Sequence, residues 1–126
     1  MRMYRIGKAV AVTAATALLT IGTIGQAAAS RSAPDIGDGH RDNKHAVWCV
    51  QHLLNDVAKR YGHGRPLTED GLWGPKTKRW VKWYQRFDGL RRDGIVGKET
   101  GGWLLIDGDP YYGGHTYCYR YVPSRF

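Results

Sequence analysis

The chain has 126 residues, with 19 Lys and Arg against 11 Asp and Glu, and therefore a formal net charge of +8. Hydrophobic residues make up 42% of the sequence and charged residues 24%, proportions typical of a folded protein rather than a disordered one. This length suits one domain, and the composition excludes a long coiled coil, a collagen-like fibre and a multi-pass membrane protein.

The N-terminal residues have the layout of a secretory signal. Arg2, Arg5 and Lys8 precede an apolar run over residues 9–24, which is followed by Ala27-Ala28-Ala29. A basic region, a short apolar region and a small-residue cleavage site are typical of export signals. A retained membrane helix is the weaker alternative, because three threonines and a glycine interrupt the apolar run.

We therefore predict that residues 1–29 are a signal peptide cleaved after Ala29, that the protein is secreted, and that no membrane association remains after cleavage. The signal carries three of the cations and no acid, so its removal leaves 97 residues with a net charge of +5. A moderately basic exported protein is suited to an anionic surface, which could be cell-wall polymers, lipid head groups or extracellular nucleic acid, and charge alone does not choose among them.

The two cysteines, Cys49 and Cys118, both follow the predicted signal. An even number of cysteines in an exported chain favours a disulfide. On a helix through residues 46–61, Cys49 lies off the apolar stripe, a position better suited to fastening another segment than to filling the core. We predict a Cys49–Cys118 disulfide, with two free thiols as the alternative.

Three helices are predicted after a flexible, Gly-rich lead over residues 30–41. The first spans residues 46–61 behind a cap at Asp42-Asn43, the second runs from Pro75 to about Phe87, and the third is a short helix over residues 98–105. The apolar stripe of the first helix consists of Val47, Val50, Leu54, Val57, Ala58 and Tyr61. In the aromatic C-terminal tail, residues 107–126, a two-residue alternation over residues 117–122 predicts an extended strand.

The sequence D-G-x-x-G-x-x-T occurs twice, first as Asp70–Thr77 and then, 23 residues later, as Asp93–Thr100. Asp-Gly favours a tight turn, and the second glycine admits the start of a helix. We expect the threonine, in the first helical turn, to bond a free backbone N–H. Each copy therefore predicts a turn that begins a helix.

These turns, together with Val47-x-x-Val50-Gln51-x-x-Leu54 and Val81-x-x-Tyr84-Gln85, resemble the peptidoglycan-binding domain 1 family. The resemblance covers about residues 43–105. It implies a small three-helix bundle that anchors exported bacterial proteins non-covalently to the cell wall and is not itself catalytic. The predicted fold is accordingly mainly α, with the peptidoglycan-binding-like domain over residues 42–106 and a short extended tail fastened by the disulfide.

The chain departs from the family pattern at three places. Trp80 stands where the family usually has a small residue, Tyr84-Gln85 stands where it has Phe-Gln, and Thr100-Gly101 stands where it has a Thr-Trp pair. Nothing in the family pattern accounts for residues 108–126.

The candidate ligand-binding residues centre on the second helix, where Trp80, Trp83 and Phe87 form an aromatic arc that a small domain cannot bury unaided. Either the tail covers these rings, or they form an open platform on which sugar rings stack. The full candidate set is Asp70, Trp73, Trp80, Trp83, Tyr84, Arg91 and Asp93. The structural alternatives are a core anchor for Trp73, hydrogen bonds within the turns for the two aspartates, and a solvated basic rim for Arg91.

No catalytic constellation is found. The five histidines include no H-E-x-x-H motif and no compact zinc-ligand cluster, and no placed pair of carboxyl groups is evident. We predict no enzymatic activity, no metal and no cofactor.

The predicted function is that of a secreted, cell-wall-associated monomer that docks the glycan or the stem peptide of peptidoglycan in a shallow groove. The alternative is a secreted interaction or inhibitor module on the same scaffold, whose partner is a wall hydrolase or another secreted protein. Nucleic acid is not the expected partner, although the charge and the aromatic residues would permit it.

Overall fold

The computed structural model describes residues 31–40, 42–113 and 116–126. Within these ranges the chain forms four helices: α1 (Lys44–Arg60), α2 (Pro75–Phe87), α3 (Lys98–Asp107) and α4 (Tyr117–Tyr121). The prediction of a mainly helical fold with three helices in the domain is confirmed. The predicted signal peptide lies outside the described residues, and within them no helix is both long and apolar enough to cross a membrane.

Helix α1 is the central element, against which the other three helices pack. It begins after Asn43, whose side-chain oxygen accepts hydrogen bonds from the backbone N–H groups of His45 at 2.7 Å and Ala46 at 3.3 Å. The predicted stripe is buried except at its end, where Tyr61 is 51% exposed. Leu53, which lies next to the edge of the stripe at Val57, is also fully buried. Helix α1 is therefore covered on more than one side, as the core of so small a domain requires.

Cys49 is fully buried, so its interpretation as an off-core position was wrong. The predicted disulfide to Cys118 is present and joins residues 69 apart in sequence. Cys49 is buried and disulfide-bonded for the same reason: the C-terminal tail packs on this side of α1 and supplies a second apolar layer there. Cys118 and Val122 of the tail are fully buried in that layer.

The tail forms helix α4 over Tyr117–Tyr121, so the prediction of an extended strand was wrong. Cys118 and Val122, four residues apart, both face the core, while the rings of Tyr117 and Tyr121 both contact that of His45. Residues four apart share a face in a helix, and they also share a face in a strand. The alternation in the sequence was therefore compatible with both structures. In a strand Arg120 would share the buried face with Cys118 and Val122, whereas in the helix Arg120 is exposed.

Part of the predicted flexible lead is packed on the domain. Ile36 is 2% exposed and pairs with Val96 of the second turn through two backbone hydrogen bonds of 3.1 and 2.8 Å. The lead therefore carries one apolar anchor that holds it against the second turn.

A buried glutamine connects α1 to the first turn. The Gln51 side-chain N–H₂ group donates to Asp70 Oδ1 at 3.1 Å, to the carbonyl oxygen of Leu72 at 3.0 Å and to Thr77 Oγ1 at 3.2 Å. Its side-chain oxygen accepts from the backbone N–H of Gly71 at 2.9 Å. One side chain thus joins α1, the whole turn and the start of α2.

The same arrangement recurs in the second half of the domain. The Gln85 side-chain N–H₂ group donates to Asp93 Oδ1, to the carbonyl oxygen of Ile95 and to Thr100 Oγ1, each at 3.0 Å. Its oxygen accepts from the backbone N–H of Gly94 at 3.0 Å. The D-G-x-x-G-x-x-T repeat is therefore one half of a recurring unit whose other half is a glutamine on the preceding helix.

This unit corrects the expected role of the threonines. Thr77 and Thr100 accept hydrogen bonds from the glutamines, and neither helix start has a side-chain cap. The glycines are required for backbone conformation, since φ is +74° at Gly71 and +75° at Gly94.

The departure from the family pattern at Gly101 has a structural cause. The backbone of the tail crosses α3 at this glycine, so that an added Cβ would collide with the carbonyl oxygen of Pro123 and lie 2.9 Å from Val122 Cγ1. At Gly102 an added Cβ would lie 2.8 Å from the Phe126 ring. The two glycines form the surface on which the end of the tail packs.

We expect Gln51→Leu and Gln85→Leu each to lower the free energy of unfolding by about 3 kcal/mol. The apolar replacement fills a similar volume but leaves a backbone N–H, a carbonyl and a hydroxyl of the turn without their partner. Chemical denaturation measures the effect, and Lys82→Leu on the exposed side of α2 is the control, with an expected change within about 0.5 kcal/mol. Equal midpoints for all three variants would contradict the role assigned to the glutamines.

We expect Gly101→Ala to destabilise the protein by about 2 kcal/mol, although Gly→Ala inside an exposed helix normally stabilises by about 1 kcal/mol. The reversal of sign arises because the methyl group meets the Pro123 carbonyl. Thermal unfolding of Gly101→Ala and of the unmodified protein measures the change in stability. In a chain ending at Tyr121 both the Pro123 carbonyl and the Val122 side chain are absent, so the same substitution should there be neutral or stabilising. Destabilisation of equal size in both backgrounds would show that the tail is not the cause.

Candidate functional site

A cleft of about 440 Å³ lies between α1, the first turn and the C-terminal tail. Its lining residues come from three separate segments of the chain: Lys44, His45 and Trp48 from α1, Glu69, Asp70 and Gly71 from the first turn, and Tyr112 and Tyr117 from the tail. The disulfide holds the third segment against the first, so the cleft depends on the fastening of the tail.

Three aromatic rings form the apolar part of the cleft. The Trp48 ring stacks on His52 with ring centroids 4.9 Å apart and planes 5° apart. Tyr112 and Tyr117 meet Trp48 edge-on at 5.4 and 6.0 Å. The Tyr117 hydroxyl lies 2.5 Å from Nδ1 of His45. These contacts fix the rings before any ligand arrives, which reduces the entropy that binding would cost.

Glu69 gives the cleft a carboxylate held by three side chains. It accepts hydrogen bonds from Arg65 at 2.8 Å and Asn55 at 2.9 Å, and one of its oxygens lies 3.0 Å from Nδ1 of His52. Burial raises the pKa of Glu69, but the hydrogen bonds from Asn55, Arg65 and His52 outweigh burial and hold the pKa below its usual value.

A second carboxylate, Asp70, lies beside Glu69 in the same cleft. Hydrogen bonds from the Leu72 backbone N–H and the Gln51 side chain lower the pKa of Asp70. Both carboxylates are therefore negatively charged at neutral pH, and Lys44 supplies one positive charge opposite them. The cleft is thus locally acidic in a chain that is basic as a whole.

His52 lies behind Trp48 between two carboxylates. Its Nδ1 is 3.0 Å from Glu69 and its Nε2 is 3.3 Å from Oδ2 of Asp109. A hydrogen bond from the Tyr111 backbone N–H lowers the pKa of Asp109, and a hydrogen bond with His52 lowers it further. This arrangement fixes the imidazole that supports Trp48. Across the part of the chain that the structure describes, no group of three or more His, Cys, Asp and Glu side chains is placed to hold a metal ion.

The candidate residues in the turns are engaged within the protein. Asp70 and Asp93 each accept from a backbone N–H two residues on and from a buried glutamine, as the structural alternative for them proposed. The Trp73 indole N–H donates to Asp38 Oδ1 at 2.8 Å, and its ring packs partly buried against the core. Of these three, only Asp70 lines the cleft.

Tyr84 and Arg91 lie in opposite environments. Tyr84 is fully buried and its hydroxyl donates to Asp107 Oδ2 at 2.6 Å. Burial and the Asp107 carboxylate raise the pKa of Tyr84. The Tyr84 ring therefore belongs to the core rather than to a surface site. The Arg91 side chain is 90% exposed, and among the described residues its one ion pair is with Asp93, at 4.0 Å.

Trp80, Trp83 and Phe87, here called the aromatic row, lie along one side of α2. Trp83 stacks on Phe87 at 5.4 Å and meets Trp80 edge-on at 5.0 Å. Among the described residues, the other rings in contact with the row are Tyr61 and His63, while the tail packs on α1 and α3. The structure therefore does not place the tail over these rings, which was one of the two alternatives.

Sequence reasoning missed Trp48, Tyr112 and Tyr117 as a group. A signal for them was present, because the predicted Cys49–Cys118 bond places residue 117 near residue 48. Following the disulfide to its sequence neighbours would have brought Trp48 and Tyr117 together. Tyr112 could not have been found in this way, since its position depends on the path of the chain between α3 and α4.

Residues 50–104 match the sequence profile of the family described as "Putative peptidoglycan binding domain". The matched segment begins within α1, contains both turns and α2, and ends within α3. No curated protein and no solved structure matches the chain. Residues 50–104, which are 55 of the 126 residues, are therefore similar to this family of peptidoglycan-binding domains.

Proposed function

We propose that the protein is a secreted, non-catalytic binder of peptidoglycan that docks the wall glycan in the cleft between α1, the first turn and the tail. The observation that carries this proposal is the combination, in one cleft, of Trp48, Tyr112 and Tyr117 with the carboxylates of Glu69 and Asp70. The similarity of residues 50–104 to a family of peptidoglycan-binding domains supports peptidoglycan as the partner.

The lining of the cleft matches the chemistry of an amino-sugar chain. Pyranose rings present C–H faces that pack on aromatic rings, and their hydroxyl and amide N–H groups donate to carboxylates. Trp48 supplies the apolar surface, while Asp70 and Glu69 supply the acceptors. The Lys44 ammonium would donate to an acetamido carbonyl or to the carboxylate of a stem peptide. The negative charge of the cleft disfavours a polyanion as its ligand.

The state of the carboxylates supports a binding role without catalysis. A glycosidase needs one carboxyl group whose raised pKa keeps a proton available for the leaving group. Here the pKa values of Glu69, Asp70 and Asp109 are all lowered, because each carboxylate accepts hydrogen bonds from the protein itself. These groups are suited to accepting hydrogen bonds from a ligand rather than to donating a proton.

We expect Trp48→Ala to weaken binding to purified sacculi about tenfold, because the apolar surface for the sugar is lost. Co-sedimentation with sacculi stripped of teichoic acids, at low salt and at 0.5 M salt, measures the affinity of the exported protein. Trp48→Phe should retain most of the binding.

Trp103→Ala is the matched control, since Trp103 is another half-buried indole that packs on Phe126 outside the cleft. Its binding should be unchanged. The proposal fails if Trp48→Ala, shown to be folded by circular dichroism, binds as tightly as the unmodified protein.

We expect the double substitution Cys49→Ala/Cys118→Ala to weaken binding to sacculi and also to lower stability. Loss of a cross-link between residues 69 apart costs roughly 4 kcal/mol in the chain-entropy model, and it frees the tail that positions Tyr112 and Tyr117. Affinity and thermal unfolding are measured with and without reductant. Reductant should affect only the unmodified protein. If the reduced form of that protein binds sacculi as tightly as the oxidised form, the disulfide-fastened tail does not contribute to binding in the cleft.

A further inference from the structure

The side of α2 that carries the aromatic row is also its positively charged side. Five of its thirteen residues are Lys or Arg, and none is Asp or Glu. The row remains in contact with solvent: Phe87 is 46% exposed, and Trp80 and Trp83 are partly buried. Trp80 is also the position at which the family usually has a small residue, so the family pattern does not account for the row.

The cations of α2 are largely without intramolecular partners. Of the ion pairs within 4.0 Å among the described residues, only Lys78, paired with Asp38 at 2.7 Å, involves this helix. The side chains of Lys76, Arg79, Lys82 and Arg86 are exposed. Elsewhere among the described residues some cations, such as Arg60 and Arg125, reach carboxylates, whereas others, such as Lys59 and Arg120, have no ion pair within 4.0 Å. The helix that carries the exposed rings therefore also carries four cations without an ion pair.

Helix geometry places three of these cations on the side of the row. At roughly 100° per residue, Lys76, Arg79 and Arg86 lie within roughly 60° of Trp83 around the axis. Two guanidinium groups and one ammonium group thus border the aromatic row.

Lys82 lies apart from the row, roughly 100° from Trp83 around the axis. It packs on the other side of the helix, where a Cβ added at Gly94 would lie 3.2 Å from its Cε.

The aromatic row is long enough to contact two consecutive sugar rings of a polymer. Seven residues separate Trp80 from Phe87, which corresponds to about 10 Å along the helix. Two consecutive pyranose rings occupy a similar length. Guanidinium groups bind phosphate and carboxylate groups through paired N–H bonds, and indole rings pack on sugars.

We propose that the aromatic row together with Arg79 and Arg86 is a second binding site, whose ligand is a phosphate-bearing sugar polymer of the cell wall. The charge of this surface is opposite to that of the cleft, so the two sites select different polymers. The proposal rests on the proposed function only for placing the protein in the wall, where such a polymer is accessible.

The test measures binding of the exported protein to purified ribitol-phosphate teichoic acid that carries N-acetylglucosamine substituents, which supply both phosphates and pyranose rings, by isothermal titration calorimetry. Arg79→Gln/Arg86→Gln removes two exposed charges beside the row, and Trp83→Ala removes the central ring. Lys82→Gln/Lys98→Gln is the matched control, because it removes two exposed lysines that lie away from the row. Polyphosphate and single-stranded DNA serve as probes that lack sugar stacking or replace it with base stacking.

We expect the arginine variant and Trp83→Ala each to weaken teichoic acid binding at least about tenfold, and the control at most about twofold. Polyphosphate should bind more weakly than teichoic acid. The arginine variant should still bind stripped sacculi, which distinguishes failure of this site from failure of the cleft. If the lysine control loses as much teichoic acid affinity as the arginine variant, binding depends on net charge alone and the proposed site is wrong. Tighter binding of DNA would replace the proposed ligand by nucleic acid, and no binding of teichoic acid would overturn the proposal.

Discussion

The structure depends on two glutamine side chains buried between helices and turns. Gln51 and Gln85 each bond four polar groups of one D-G-x-x-G-x-x-T segment: the aspartate, two backbone groups of the turn and the threonine of the following helix. A turn that enters the core brings backbone groups which cost free energy unless they are bonded. The glutamines meet this requirement twice with the same geometry, and they thereby fix how α2 and α3 leave their turns.

The second determinant is the tail, which converts a three-helix domain into one with a cleft. It covers α1 at Cys49, crosses α3 at Gly101 and contributes Tyr112 and Tyr117 beside Trp48. The result is a protein with two chemically distinct surfaces. The cleft is acidic and lined by rings from three segments, whereas α2 presents rings and guanidinium groups from a single helix. Basic composition alone would not have separated the two.

The sequence allowed prediction of the elements whose signals are local. The helices at Pro75 and Lys98 follow from their turn motifs, and the disulfide from the cysteine count. The conformation of the tail was mispredicted because an alternation over six residues does not distinguish strand from helix when long-range burial decides. The cleft could not be predicted from any single segment. Its residues are separated by up to 73 positions, from Lys44 to Tyr117, and they meet only through packing of the tail.

The glycine at position 101 is required by the tail that packs against it. The close approach of the Pro123 carbonyl leaves no room for a side chain there, whereas the family pattern has tryptophan at this position. A large side chain on α3 and a tail crossing α3 are therefore mutually exclusive coverings of the same core surface. The identity of one residue inside the domain thus reports whether a homologous chain is sealed by its own side chain or by a C-terminal extension. A homologous chain with glycine at this position and a cysteine at the position of Cys49 is therefore expected to carry a C-terminal extension of the same kind.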